Sequence, residues 1–144
     1  MSVAITIQLS PQAIALADRF RRAPQQFPQT IKRGMDKALQ IVAGRIQQKR
    51  LTGRGPFSVS SHRLGERSGQ LKLRTHATPA RITASGSQTT VVGAIGSPVF
   101  YTAIHEFGGK RMPERAPFRT GIRENASFIG ETIEREITES LKTV

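Results

Sequence analysis

The residues best suited by type to do chemistry are His105 and Glu106, which stand side by side as the first two residues of a zinc-protease HExxH helix do. That chemistry needs a second histidine ligand one turn on, and position 109 is Gly. The three histidines, His62, His76 and His105, fall in three different stretches with no clustered carboxylates, so they do not describe a metal site. Gly53-Arg-Gly55 lacks both the Gly-Lys-Ser/Thr and the preceding apolar strand of a phosphate-binding loop, and no Gly-x-Ser-x-Gly nucleophile elbow occurs. Asp18 and Asp36, the only aspartates, sit at unrelated helical positions, and the absence of cysteine removes thiolate catalysis, disulfides and Cys-based zinc sites. The expectation is a chain that is not an enzyme and carries no cofactor and no metal.

Charge points toward binding. The 144 residues hold 22 Lys and Arg against 10 Asp and Glu, a net charge of +12, which favours phosphate or acidic protein surfaces as partners and opposes self-association at low salt. The excess is concentrated. Arg45, Lys49, Arg50, Arg54, Arg63, Arg67, Lys72 and Arg74 are met in their stretch only by Glu66, whereas the C-terminal segment from Glu124 to Lys142 is acidic. A basic nucleic-acid-binding protein is therefore the rival reading, with salt-sensitive contacts to phosphates. Against it, Phe57 is the lone aromatic within the basic run, no tryptophan is present to stack bases, and no helix-turn-helix spacing is found.

The elements that must carry these residues read as one α+β domain over 1–144, a length that buries about 70% of the unfolded surface. Met1 to Ile7 alternates as a strand and not as a signal peptide. Ser10-Pro11 opens a helix that ends near Ala23-Pro24, and a longer helix runs from Thr30 to Arg50 on Ile31, Met35, Ala38, Leu39, Val42 and Ile46. Gly34 and Gly44 within it mark close contacts. From Leu51 to Ser68 a Gly, Ser, Arg and Pro-rich stretch predicts a flexible basic loop. Leu71–Ala77, Ala80–Ala84 and Thr89–Ile95 read as short antiparallel strands separated by Thr78-Pro79 and Ser85-Gly-Ser-Gln88. A last helix from Pro117 to Leu141 puts Ile122, Ala126, Ile129, Ile133, Ile137 and Leu141 on one stripe, so that a small antiparallel sheet packs against two long helices. The most apolar window, Val91 to Ile104, is shorter than the about 18 residues of a membrane span, and a soluble protein is expected.

One segment is denser in special residues than the rest. Tyr101-Thr-Ala-Ile-His-Glu-Phe-Gly-Gly109 is followed by Met112-Pro-Glu-Arg-Ala-Pro-Phe-Arg119. Phe100, Ile104 and Phe107 are spaced to lay one face of a short helix or irregular strand on a core, and Gly108 and Gly109 permit the positive φ that ends it. Pro113 and Pro117 bias Met112 and Ala116 toward an extended arm feeding a helix near Pro117. The plain alternative is an ordinary connector with Phe118 buried.

Tyr-x-x-Ile-His-Glu-Phe-Gly-Gly, then Met-Pro-x-Arg-x-Pro-Phe-Arg and a long amphipathic helix, resembles the tail-completion and virion-morphogenesis proteins of tailed bacteriophages, neck components that join tail to head. Upstream, Leu51-Thr-Gly-Arg-Gly-Pro-Phe and Leu64-Gly-Glu-Arg-Ser-Gly-Gln-Leu-Lys are similar to that family's Gly-rich loop and Leu-Gly-x-Arg-Ser/Thr-Gly-x-Leu element, so the resemblance runs from Thr30 to Leu141. It implies a structural virion protein assembled in the host cytoplasm as a homo-oligomeric ring. Its partners would be other neck and tail proteins (tail terminator, tail tube or head connector), with non-specific contact to DNA in the neck. Tyr101, Phe107, Met112 and Phe118 would then be apolar anchors with Arg111, Arg115 and Arg119 as their rim. His105, Gly108, Gly109 and Pro113 share that surface, and Arg54, Phe57, Arg63 and Arg67 are docking residues of the flexible loop.

Overall fold

The computed structural model describes residues 2–8, 11, 26–66 and 69–142. The expected helix from Ser10-Pro11 to Ala23-Pro24 lies, but for Pro11, outside them, as do Arg67 and Ser68. The order of elements is β1 (Ser2–Gln8), α1 (Gln26–Arg50), a 3-10 turn at Val59–Ser61, α2 (Gln70–Arg74), β2 (His76–Ser85), β3 (Gln88–Gly96), α3 (Thr102–Phe107), α4 (Pro117–Glu124) and α5 (Ala126–Lys142). This is the α+β architecture expected, a three-stranded antiparallel sheet of order β1-β3-β2 with long helices. No helix among the described residues is long and apolar enough to cross a membrane.

α1 forms the spine. Its apolar repeat, Ile31, Met35, Ala38, Leu39, Val42 and Ile46, is buried along the full length. The helix starts a turn earlier than expected, and Pro28 is tolerated there because first-turn N–H groups have no intrahelical partner. One side of α1 lies on β2 and β3, another along α5 and α4, so sheet and helices share one core that includes Val91, Ile95, Phe118, Ile129 and Ile133. Two glycines set the closeness. A Cβ on Gly93 of β3 would stand 2.6 Å from Met35 Sδ, and one on Gly34 would stand 2.8 Å from Ile133 Cα of α5. Gly44 marks no such contact, with nothing within 4 Å of its would-be Cβ.

Two local expectations about the sheet are corrected. Leu71–Ala77 is not a strand: its first residues form α2, because Gln47 of α1 donates to the Lys72 and Thr75 carbonyls at 2.9 and 2.8 Å and the Thr75 hydroxyl donates to Leu71 O at 2.6 Å. Those contacts close a helical turn over buried Leu71 and override the alternating pattern. Thr78-Pro79 is not a turn but lies in a register irregularity between Thr78 and Arg81 within β2, an edge strand where a missing N–H breaks no inner ladder. The neighbouring Ala80 N–H is satisfied by Asp36 Oδ1 of α1 at 2.6 Å. The hairpin at Ser85-Gly-Ser-Gln88 is as read, with Ser85 opposite Gln88.

The single C-terminal helix is in fact two. Asn125 divides it, its side chain donating to Gly121 O at 2.8 Å and accepting from Arg45 at 2.7 Å, the local competition by which Asn interrupts a helix. Just before the break, Glu124 takes hydrogen bonds from Lys49 at 3.1 Å and from the buried Arg50, whose other arm reaches Ser61 O at 2.6 Å.

Two outcomes follow from this packing. Gly34→Ala should lower stability by about 1–3 kcal/mol despite alanine's helix preference, because Ile133 backbone must move, while Gly44→Ala should raise it by about 0.5–1 kcal/mol. Urea midpoints of the two variants moving in the same direction would refute that reading. The hydrogen bond from Arg50, opposed by burial and helped by Lys49, holds the Glu124 carboxyl below its ordinary 4.5. Its contribution is therefore complete above that value and lost as the pH falls through the lowered one. Glu124→Gln should be less stable than the parent at pH 7 and approach it at strongly acid pH; a gap that persists there would refute the pairing.

Candidate functional site

The segment from Val99 to Arg119 is built around a carboxylate turned inward. Glu106 is 0% exposed. Its Oε2 accepts from Phe118 N at 3.0 Å, and its Oε1 accepts from Arg119 N and Arg119 Nε, each at 2.9 Å. Those two N–H groups open α4, whose preceding residue Ala116 has no side chain able to cap them. Negative charge at that end also meets the helix dipole favourably.

The exchange is mutual. Gly108 closes α3 at φ 79°, and its N–H returns to Ile104 O at 2.7 Å. The His105 carbonyl accepts from Arg115 N at 3.0 Å and Ala116 N at 3.2 Å, and the Glu106 carbonyl from the Arg119 guanidinium at 2.6 Å. The Arg119 guanidinium also binds Glu114 and lies 4.8 Å from the centre of the Phe107 ring. Burial acts to lower its pKa, and the two carboxylates outweigh that and raise it. Ala116 is not extended as expected but left-handed at φ 46°, ψ 52°, a conformation the surrounding bonds impose on a residue with a Cβ.

Turning Glu106 and Thr102 inward turns the apolar residues of α3 outward. The expectation that Phe100, Ile104 and Phe107 lie on the core is wrong: they are 89%, 41% and 54% exposed. The helix is inside out because the buried ion pair and cap lie on its inner side. Met112 joins the exposed set from a tight turn in which Gly109 and Met112 pair, N to O at 2.9 and 3.3 Å, and which carries Lys110 and Arg111 at its tip. Gly109 passes close to Ile104, Pro113 is exposed beside Met112, and Tyr101 stacks edge-on with both Phe100 and His105.

Several residues assigned to this surface serve elsewhere. Phe118 is 1% exposed and belongs to the core. Arg115 is not a rim residue: it donates to the carbonyls of Phe57 at 2.9 Å, Arg63 at 3.2 Å and Ser58 at 3.3 Å, and its own carbonyl meets His62 Nδ1 at 2.7 Å. Arg63 lies 4.0 Å over the Phe57 ring and donates to Thr52 O at 2.9 Å. Leu64 N reaches Arg50 O and Glu66 N reaches Gly53 O, both at 2.8 Å. The loop read from sequence as flexible thus carries hydrogen bonds to Arg50, Thr52, Gly53 and Arg115 within 51–66. Arg54 alone of the named loop residues is exposed there, while Arg67 is outside the described residues. The two motif-bearing segments, far apart in sequence, are joined through Arg115.

Glu106 itself was missed by reasoning from sequence, which weighed it only as half of a zinc motif. A signal existed: a helix that starts at Pro117 behind an alanine needs its cap from another element. The described residues contain no group of three or more His, Cys, Asp or Glu placed to hold a metal ion. No protein-family model, curated protein or solved structure matches the chain.

Glu106→Ala should cost about 3 kcal/mol, since it strips a buried charge pair and the cap of α4 together, with Glu106→Gln costing less because one acceptor remains. Chemical denaturation measures both, and a loss for Glu106→Ala no larger than that of an exposed alanine substitution would contradict the anchoring role.

Proposed function

We propose that this chain is a structural protein of a tailed-phage neck, completing the tail and joining it to the head, and that the docking surface is the outward face of α3 with its following turn. The observation that supports it is the inverted helix: Phe100, Ile104, Phe107 and Met112 exposed together on a backbone braced from within by Glu106. Several exposed large apolar side chains in one short segment are a mark of a protein-binding surface, and burying an aromatic side chain there is worth about 1.5–3 kcal/mol. The resemblance of Tyr101–Arg119 and Leu51–Lys72 to tail-completion proteins gives the partners their identity: tail terminator, tail tube or head connector, in a ring of copies within the virion. Lys110 and Arg111 form the free part of the rim, with no ion pair among the described residues.

The nucleic-acid reading is weakened by where the cations go. Lys49 and Arg50 bind Glu124, Lys72 binds Glu66, Arg45 packs on Phe128 and Arg63 on Phe57, which leaves Arg54 and Arg74 from the described part of the basic run.

The decisive comparison uses phage carrying Phe107→Ser with Met112→Ser, or Arg54→Ala with Arg74→Ala. The first pair removes exposed apolar contacts at little cost to stability and should lower infectious particles at least about tenfold with free tails accumulating. The second should leave assembly intact. Normal assembly from the first pair, with DNA affinity of the purified protein lost in the second, would reverse the assignment.

A further inference from the structure

The sheet ends on two edges that differ in kind. At β2 the irregularity between Thr78 and Arg81, the missing N–H of Pro79 and the exposed charge of Arg81 all oppose further pairing, and Asp36 already occupies the Ala80 N–H. β1 has none of these devices. Ser2–Gln8 pairs with β3 in unbroken register from Ser2 opposite Gly96 to Gln8 opposite Thr90, and it contains no charge and no proline. Among the described residues nothing pairs with its outer side. Val3 and Ile5 pack against the core and yet stay half-buried, since the sheet stops beside them.

We propose that the outer edge of β1 pairs antiparallel with β1 of a second copy of this chain, giving a six-stranded sheet across a two-fold axis. The occupant is chosen by charge. In a chain of net charge +12, Ser2–Gln8 is a run that can lie against itself without setting like charges opposite one another. A two-fold contact satisfies both open edges at once and closes. Pairing β1 with the next copy's β2 would instead meet the irregularity, Pro79 and Arg81, so head-to-tail growth of the sheet is blocked. Continuing the sheet also places Val3 and Ile5, already packed at the edge of the core, beside strand residues of the second copy. The remaining obstacle is the charge of each copy, which salt screens, so the pair strengthens as salt rises. This inference uses the sheet edge and stands apart from the docking face on α3.

Sedimentation equilibrium of the full chain tests it. Between about 0.05 and 0.5 M salt, over which screening lengths shrink about threefold, the dimer dissociation constant should fall. Thr6→Lys, at an exposed position on β1, should raise that constant at least about tenfold by setting two cations at the contact, while Thr83→Lys on β2 should leave it within about twofold. Far-UV circular dichroism checks the fold, and Ala4→Lys, also exposed, replaces Thr6→Lys should that variant unfold. A chain that stays monomeric at high salt, a dimer indifferent to the β1 lysine, or one weakened equally by Thr83→Lys overturns the proposal.

Discussion

The buried carboxylate of Glu106 is the contact on which the outer half of this molecule depends. A lone ionised carboxylate away from water is costly, and the chain offsets that cost with the two first free N–H groups of α4 and the guanidinium of Arg119. In doing so it joins two short helices end to side: α3 supplies the cap of α4, and the segment before α4 supplies donors for the last carbonyls of α3. Neither helix is long enough to persist alone in water. Each is completed by the other.

The same bond decides what the surface shows. With one face of α3 committed to Thr102 and Glu106, Ile104 and Phe107 are exposed, and Phe100 and Met112 are exposed on the segments before and after the helix. The patch is thus a consequence of an interior requirement and is held in place by it. Arg115 then carries the order outward, gathering three carbonyls of the Gly-rich loop, which in turn rests on Arg50 and the end of the spine helix.

What could be read from sequence divides along a physical line. α1, β1 and the β2–β3 hairpin follow from local periodicity and turn chemistry, and Ile31 through Ile46 found the core as expected. The failures are where a distant side chain overrules the local pattern: Gln47 closing α2, Asp36 accepting from the strand beside Pro79, Asn125 dividing the C-terminal helix. The segment Tyr101–Arg119 was legible as special and not as inside out, because its apolar spacing is that of a core-facing helix and the partner of Glu106 lies twelve residues away. The composition of the loop 51–66 gave no hint that backbone carbonyls would find Arg115.

A pre-formed patch and an unordered arm dock by different thermodynamics. An arm of the length 51–68 would lose backbone freedom of about 1–2 kcal/mol per residue on binding, which must be subtracted from whatever contacts it makes. Here Arg115, Arg63 and His62 make hydrogen bonds within or to residues 52–63 of the loop, and the backbone of 104–108 is hydrogen-bonded to 115, 116 and 119. Docking there would still cost translational, rotational and side-chain freedom, but not the backbone freedom that an unordered arm would have to give up. In the proposed docking the net charge would take the complementary role: with most cations of the described basic run held by intramolecular partners, Lys110 and Arg111 at the turn tip would guide an acidic partner, and burial of Phe100 and Phe107 would hold it.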